Sequence, residues 1–158
     1  MIVHPIPPLY NSESKILILG SFPSVKSRET EFFYGHRQNR FWKVTSAVFE
    51  EELPDTIEEK RAFLLKSGIA LWDVIKSCEI TGSSDSSIKN VAVNDIMPII
   101  KDTGISKIFV NGKKAYALYK KYILPQTGIE AVCLPSTSPA NAGYSLDKLI
   151  EEWKCIRD

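Results

Sequence analysis

The run Ile16, Leu17, Ile18, Leu19, closed by Gly20, constrains this chain more than any other stretch. Four aliphatics in a row leave no polar face for water, so a strand made of them must be covered on both sides, as in a parallel sheet. Three more short apolar runs have the same character: residues 69–74 (IALWDV), 107–110 (KIFV) and 131–134 (AVCL). With the first strand placed at residues 15–19, four buried strands are expected.

Helical patterns lie between these runs. Asn39 stands before RFWKVTSAVF, where Phe41, Val44, Thr45 and Val48 fall on one face, so Asn39 is expected to cap a helix reaching about Phe49. Thr56 and Glu59 have capping-box spacing, and Gly68 closes the helix they open. A short helix after Asn94 accommodates Pro98 in its first turn. A basic helix follows Asn111-Gly112, and a last one runs from Ser145 to about Cys155. This alternation predicts an α/β fold, a three-layer α/β/α sandwich around a central, mainly parallel four-stranded sheet, with residues 1–158 as one domain. The proline-rich residues 1–14 are expected as an extended surface segment. Residues 24–38 are expected as a long loop, and the segment KSCEITGSSDSSIKN as polar and outside the core.

Composition excludes several functions. The formal net charge is +1, so nucleic acid would have to be held by a local patch. Three scattered cysteines fit a reducing compartment better than a disulfide framework. With two histidines and no CxxC pair, neither a metal nor any other cofactor is expected. No stretch reads as a signal peptide or a membrane span, which makes the cytoplasm the expected location; a monomer is also expected.

The four strand ends carry GSFPS, WDV with the serine-rich loop, NGKK and PSTSPAN. In open α/β sheets ligands bind just outside the carboxyl ends of the strands, so these polar groups should converge on one pocket.

Taken in order, LILGSFPS, YGHRQNRFWKV, ALWDVIKSCEITGSSD and LPSTSPANA resemble the motifs of the uracil-DNA glycosylase superfamily. The combination is most similar to its hypoxanthine-DNA glycosylase branch, and NRFW resembles the mismatch-specific uracil/thymine branch. The resemblance covers Lys15 to Tyr144. It implies a monofunctional glycosylase that flips a deaminated base, hypoxanthine or uracil, out of DNA and hydrolyses its bond to deoxyribose, leaving an abasic site for base excision repair. The transition state of such a reaction is oxocarbenium-like.

The third position of the first motif, Asp or Asn in many members, is Phe22 here, which cannot polarise water. The resemblance moves that role to Asn39, a neutral amide able to position water but a very poor base. The alternative for Asn39 is a helix cap alone. Gly20, Ser21, Phe22, Pro23 and Ser24 would form the pocket floor, and Tyr34 the aromatic against which the base stacks. Asp73 would accept the ring N–H of the base, or else cap the following turn. Ser83 would shape a wall, or with Asp85 simply make a turn. On the DNA side the resemblance points to Ser136, Ser138, Ala140 and Asn141, with Ala140 where relatives carry a bulky wedge and Leu134 where many carry His. Lys113 and Lys114 at a helix start suit a phosphate, and Arg28, Arg37, Arg40 and Lys43 would extend the patch or stay solvated.

Besides an enzyme, the residues admit a non-catalytic binder of damaged nucleic acid, because Phe22 and Leu134 replace polar positions. A flavodoxin-like nucleotide binder is the weakest alternative, since neither GxxxxGK[ST] nor GxGxxG is present.

Overall fold

A computed structural model describes residues 1–158. In chain order its elements are β1 (Ile2–Val3), β2 (Ile16–Gly20), α1 (Val25–Thr30), α2 (Phe41–Val48), α3 (Ile57–Lys66), β3 (Ile69–Asp73), β4 (Ile75–Glu79), β5 (Lys89–Val93), α4 (Met97–Asp102), β6 (Lys107–Asn111), α5 (Lys113–Leu118), α6 (Leu124–Thr127), β7 (Ala131–Leu134) and α7 (Leu146–Trp153). One π-helical stretch, Tyr119–Ile123, joins α5 to α6. No helix is long and apolar enough to cross a membrane.

The four expected strands form one parallel sheet in the order β3-β2-β6-β7. In β2 all five residues are buried, and its side chains alternate between two cores. Ile16 and Ile18 pack with Phe32, Phe41, Trp42, Leu64 and Trp153, beneath α2, α3 and α7. Leu17 and Leu19 pack on the other side with Ile75, Ile99, Ala115, Leu118 and Tyr119. Each fully enclosed aliphatic of this kind stabilises the fold by about 1.5–3 kcal/mol. The three-layer α/β/α expectation therefore holds, with β2 in the interior of the sheet for the reason its sequence suggests.

Several local expectations hold as well. Thr56 and Glu59 make the reciprocal capping box of α3. Pro98 lies in the first turn of α4. Ser145 accepts the Lys148 N–H at the start of α7. Gly68 has φ +74, a left-handed conformation that closes α3 before β3.

Four expectations need correction. Residues 1–14 are more than a surface segment: β1 pairs antiparallel with β4, and Leu9 bridges Leu71. The segment assigned outside the core contributes β4 and the start of β5, which complete a second sheet in the order β1-β4-β5. Its serines and glycine hide an antiparallel strand that buries Ile75 and Cys78 and exposes Lys76 and Glu79; Ile88 is buried as well. The expected loop after Pro23 contains α1, whose first turn is capped by Ser24. Only Ser27 of α1 is buried, so no apolar periodicity marks it. Finally, the cap position of α2 is Arg40, which makes no side-chain cap. Asn39, one residue earlier, takes the Phe41 N–H on its side-chain oxygen at 2.9 Å.

Candidate active site

Residues at the carboxyl ends of the four parallel strands line a cavity of about 510 Å³. Gly20, Ser21, Phe22, Pro23 and Ser24 line it from the end of β2, and Tyr34 and Asn39 from the segment before α2. Asp73 ends β3, Ser83 and Asp85 come from the β4–β5 connection, and Asn111 ends β6. Ser136, Thr137, Ser138 and Ala140 follow β7. Asn141, Lys113 and Lys114 are not among the lining residues. Asn141 instead ties its loop together, donating from Nδ2 to the Ser136 carbonyl at 3.0 Å.

A continuous polar chain crosses the cavity wall. Asn111 Nδ2 donates to Thr137 Oγ1 at 3.0 Å and to the Tyr34 hydroxyl oxygen at 3.1 Å. Thr137 N–H donates back to Asn111 Oδ1 at 3.1 Å. Because the Thr137 hydroxyl accepts from Asn111, its one proton goes to Asn39 Oδ1, 2.8 Å away. Asn39 Oδ1 also receives the Phe41 N–H. Two donors thus occupy Asn39 Oδ1, which fixes the orientation of the amide. Its Nδ2 group has no partner within the protein, so Asn39 offers the cavity a donor and not a base.

Asp73 lies near the Tyr34 end of this polar chain. Its Oδ2 lies 2.7 Å from His4 Nε2, and the two side chains are 6% and 2% exposed. The Ile6 N–H donates to His4 Nδ1 at 3.1 Å. Nδ1 is therefore an acceptor, and His4 is the neutral tautomer that donates Nε2–H to the carboxylate. Gly20 makes room for this arrangement: a Cβ added there would lie 2.5 Å from Asp73 Oδ1 and 3.1 Å from the Tyr34 hydroxyl oxygen.

Replacing His4 with leucine should therefore lower unfolding free energy by about 1.5–3 kcal/mol, since a buried carboxylate loses a charge-assisted bond. Urea unfolding at neutral pH measures this. His4→Gln, which keeps a donor at a similar reach, should recover part of the loss. Equal stability of His4→Leu and the unaltered protein would contradict the account.

Tyr34 stacks face to face on Phe41, with centroids 4.1 Å apart and planes 9° from parallel. One ring face is thus covered, leaving the other face and the hydroxyl edge. Its φ of 50° is uncommon for a bulky residue. Burial, with Asp73 nearby, pushes the Tyr34 hydroxyl far above the ordinary tyrosine range, so it stays protonated. Burial also raises the Asp85 carboxyl above its usual range, against the lowering effects of the Ser21 hydrogen bond and Lys114. Ser21 Oγ donates to Asp85 Oδ1 at 2.9 Å. The loop bearing Asp85 is pinned to α1, with Val25 N–H on Ser83 Oγ at 3.0 Å and Arg28 on the Gly82 carbonyl. Ser83 and Asp85 are therefore both turn residues and cavity wall.

The loop after β7 is held by Arg40, whose guanidinium donates to the Tyr144 carbonyl at 2.5 Å and the Asn141 carbonyl at 3.0 Å. Arg40 and Arg28 are thus bonded to backbone carbonyls rather than simply solvated. Ala140 is exposed within this loop, and Leu134 is buried at the end of β7 that leads into it. Lys113 and Lys114 open α5, which has six residues. Sequence reasoning missed His4, Asn111 and Thr137 as site residues. Asn111 and Thr137 carry a signal, since both stand at strand ends; His4 carries none. No three metal-ligating side chains converge anywhere in the chain.

The family model described as the uracil DNA glycosylase superfamily matches residues 7–158. A relative named hypoxanthine DNA glycosylase, from Methanosarcina acetivorans, is 35% identical over 158 residues, covering 99% of this chain and 98% of the relative. Another of that name, from Methanosarcina barkeri, is 36% identical over 138 residues, 85% of either chain. A solution NMR structure of a candidate uracil DNA glycosylase from Methanosarcina acetivorans superimposes with a TM-score of 0.85 at 33% identity, covering 99% of this chain and 97% of that one.

Proposed function

The chain belongs to the uracil-DNA glycosylase superfamily, and from that premise we propose that it is a monofunctional DNA glycosylase that removes hypoxanthine from DNA. The convergence of Asn39, Asp73 and Tyr34 on one cavity beyond the sheet carries this proposal. A cavity of about 510 Å³ has room for a bicyclic base flipped from the duplex. Asp73, accepting only, would take the ring N–H next to the base carbonyl, and adenine has no proton there. Uracil presents the same N–H, so the same acceptor would serve it.

In the proposed reaction the bond between C1′ and the base nitrogen breaks, and its electron pair leaves with the base. A water oxygen then bonds to C1′, its proton passes to solvent, and the base anion takes up a proton. Asn39 would hold that water through its free Nδ2 group, which orients the nucleophile without taking its proton. The route is therefore dissociative, with the base largely detached before water adds. Phe22, buried on the cavity floor, would exclude bulk water rather than activate it. On the DNA side, Ser136 and Ser138 would face phosphates, while the small Ala140 would insert only shallowly into the duplex. Action as a monomer in the cytoplasm belongs to the same proposal, its location supported by three unpaired cysteines.

A base-release panel tests it. Single- and double-stranded oligonucleotides carrying one hypoxanthine, uracil or xanthine are incubated with the protein and then cleaved with alkali at abasic sites. Scission is expected at hypoxanthine. No scission with any deaminated base would overturn the enzyme in favour of a protein that only binds.

A further inference from the structure

We propose that the Tyr34 hydroxyl is a specificity-determining hydrogen-bond donor which, beside the Asp73 carboxylate, reads the carbonyl of the flipped base next to its ring N–H. This rests on the glycosylase proposal and gives the hydroxyl edge of Tyr34, in place of its ring face, to recognition.

The two reading atoms flank one opening. A Cβ on Gly20 would lie 2.5 Å from Asp73 Oδ1 and 3.1 Å from the Tyr34 hydroxyl oxygen, so glycine lets both groups close in on the end of β2, where both line the cavity. Each is oriented from behind. His4 holds Asp73 through Oδ2, leaving Oδ1 without a hydrogen-bond partner in the protein. Asn111 donates to the Tyr34 oxygen at 3.1 Å, and its own orientation is set by the Thr137 N–H on its Oδ1. The Tyr34 oxygen therefore accepts from the protein, while its proton has no acceptor in the protein. The Phe41 stack fixes the ring, and the left-handed backbone at Tyr34 is the kind of local strain that recurs at ligand sites.

A donor beside an acceptor matches a carbonyl beside an N–H. Hypoxanthine presents that pair at C6 and N1, and uracil at C4 and N3. Adenine and cytosine present the inverse, an amino group beside a bare ring nitrogen. The pair thus detects the change that deamination makes. Guanine shares its keto edge with hypoxanthine, so its exclusion falls to walls that meet its 2-amino group. As the glycosidic bond breaks, negative charge spreads onto the base carbonyl, and a donor already aimed there strengthens in the transition state. Burial keeps the hydroxyl protonated and able to donate.

The test is Tyr34→Phe, which keeps the ring and its stack. Single-turnover release is compared on duplexes carrying deoxyinosine and the same purine deoxynucleoside without its 6-oxo group. Affinity is compared in parallel on the 2′-fluoro versions of both, which resist cleavage. Loss of the hydroxyl should slow hypoxanthine release by about 10- to 100-fold, chiefly in kcat, and weaken binding of the 6-oxo duplex alone. Unchanged hypoxanthine release and binding, or equal losses with both bases, would overturn the proposal. Inactivity of the unaltered protein on deoxyinosine would strike the glycosylase proposal instead, and the affinity comparison would still decide the role of the hydroxyl.

Discussion

Asn39→Ala is expected to slow base release by about a hundredfold or more, with DNA affinity largely retained. The reason is the way the amide is used: Oδ1 is filled by the Phe41 N–H and the Thr137 hydroxyl, and Nδ2 alone faces the cavity. Alanine also removes an acceptor from α2, so stability should fall by about 1 kcal/mol, and rates must be compared below the lowered Tm. Asn39→Asp separates the two effects. It keeps an oxygen for Phe41 and Thr137 and turns the free donor into a carboxylate. Single-turnover rates on a deoxyinosine duplex should fall for both variants. Faster release by Asn39→Asp would mean that the position works as a base, contrary to the donor geometry.

Asp73→Asn should lower kcat/KM on deoxyinosine by about 10- to 100-fold and change the direction of base preference. His4 decides the orientation of the new amide. Its Nε2–H, 2.7 Å from Oδ2, requires an acceptor, so the amide oxygen turns to His4 and the amide NH₂ takes the place of Oδ1. A donor then meets the N1–H of hypoxanthine and the bare N1 of adenine. The ratio of kcat/KM for deoxyinosine over deoxyadenosine should therefore fall further than the deoxyinosine value alone. An unchanged ratio would show that Asp73 does not face the base edge.

The layers of the fold were legible because four short apolar runs had to be buried on both faces, and β2 does split its side chains between two cores. The antiparallel sheet was not, because serines and a glycine around Cys78 and Ile88 obscure a strand that needs to bury only one face. Helix α1 was hidden for a related reason: it is held by the Ser24 cap and polar contacts, and it buries one serine. In the site, Asn39 and Asp73 could be noticed because each stands at a helix or strand terminus, while the role of Asn39 and the choice of Tyr34 came from the resemblance of YGHRQNRFWKV to the family's motif. Their partners could not be found from local pattern. His4 meets Asp73 across 69 positions, Thr137 meets Asn39 across 98, and Asn111 meets Tyr34 across 77. Only the folded chain brings these groups together, and they decide what each site residue can do. Through them Asn39 becomes a donor, Asp73 an oriented acceptor and Tyr34 a hydroxyl with a free proton.

The most direct measurement is the identity of the released product. Excess protein is incubated with a duplex carrying a single deoxyinosine, and the small-molecule fraction is resolved by chromatography and mass spectrometry. Free hypoxanthine is expected in amounts equal to the abasic sites formed, with the DNA backbone intact until alkali is added. Release of no base, or cleavage of the backbone without free hypoxanthine, would contradict a monofunctional glycosylase built on Asn39, Asp73 and Tyr34.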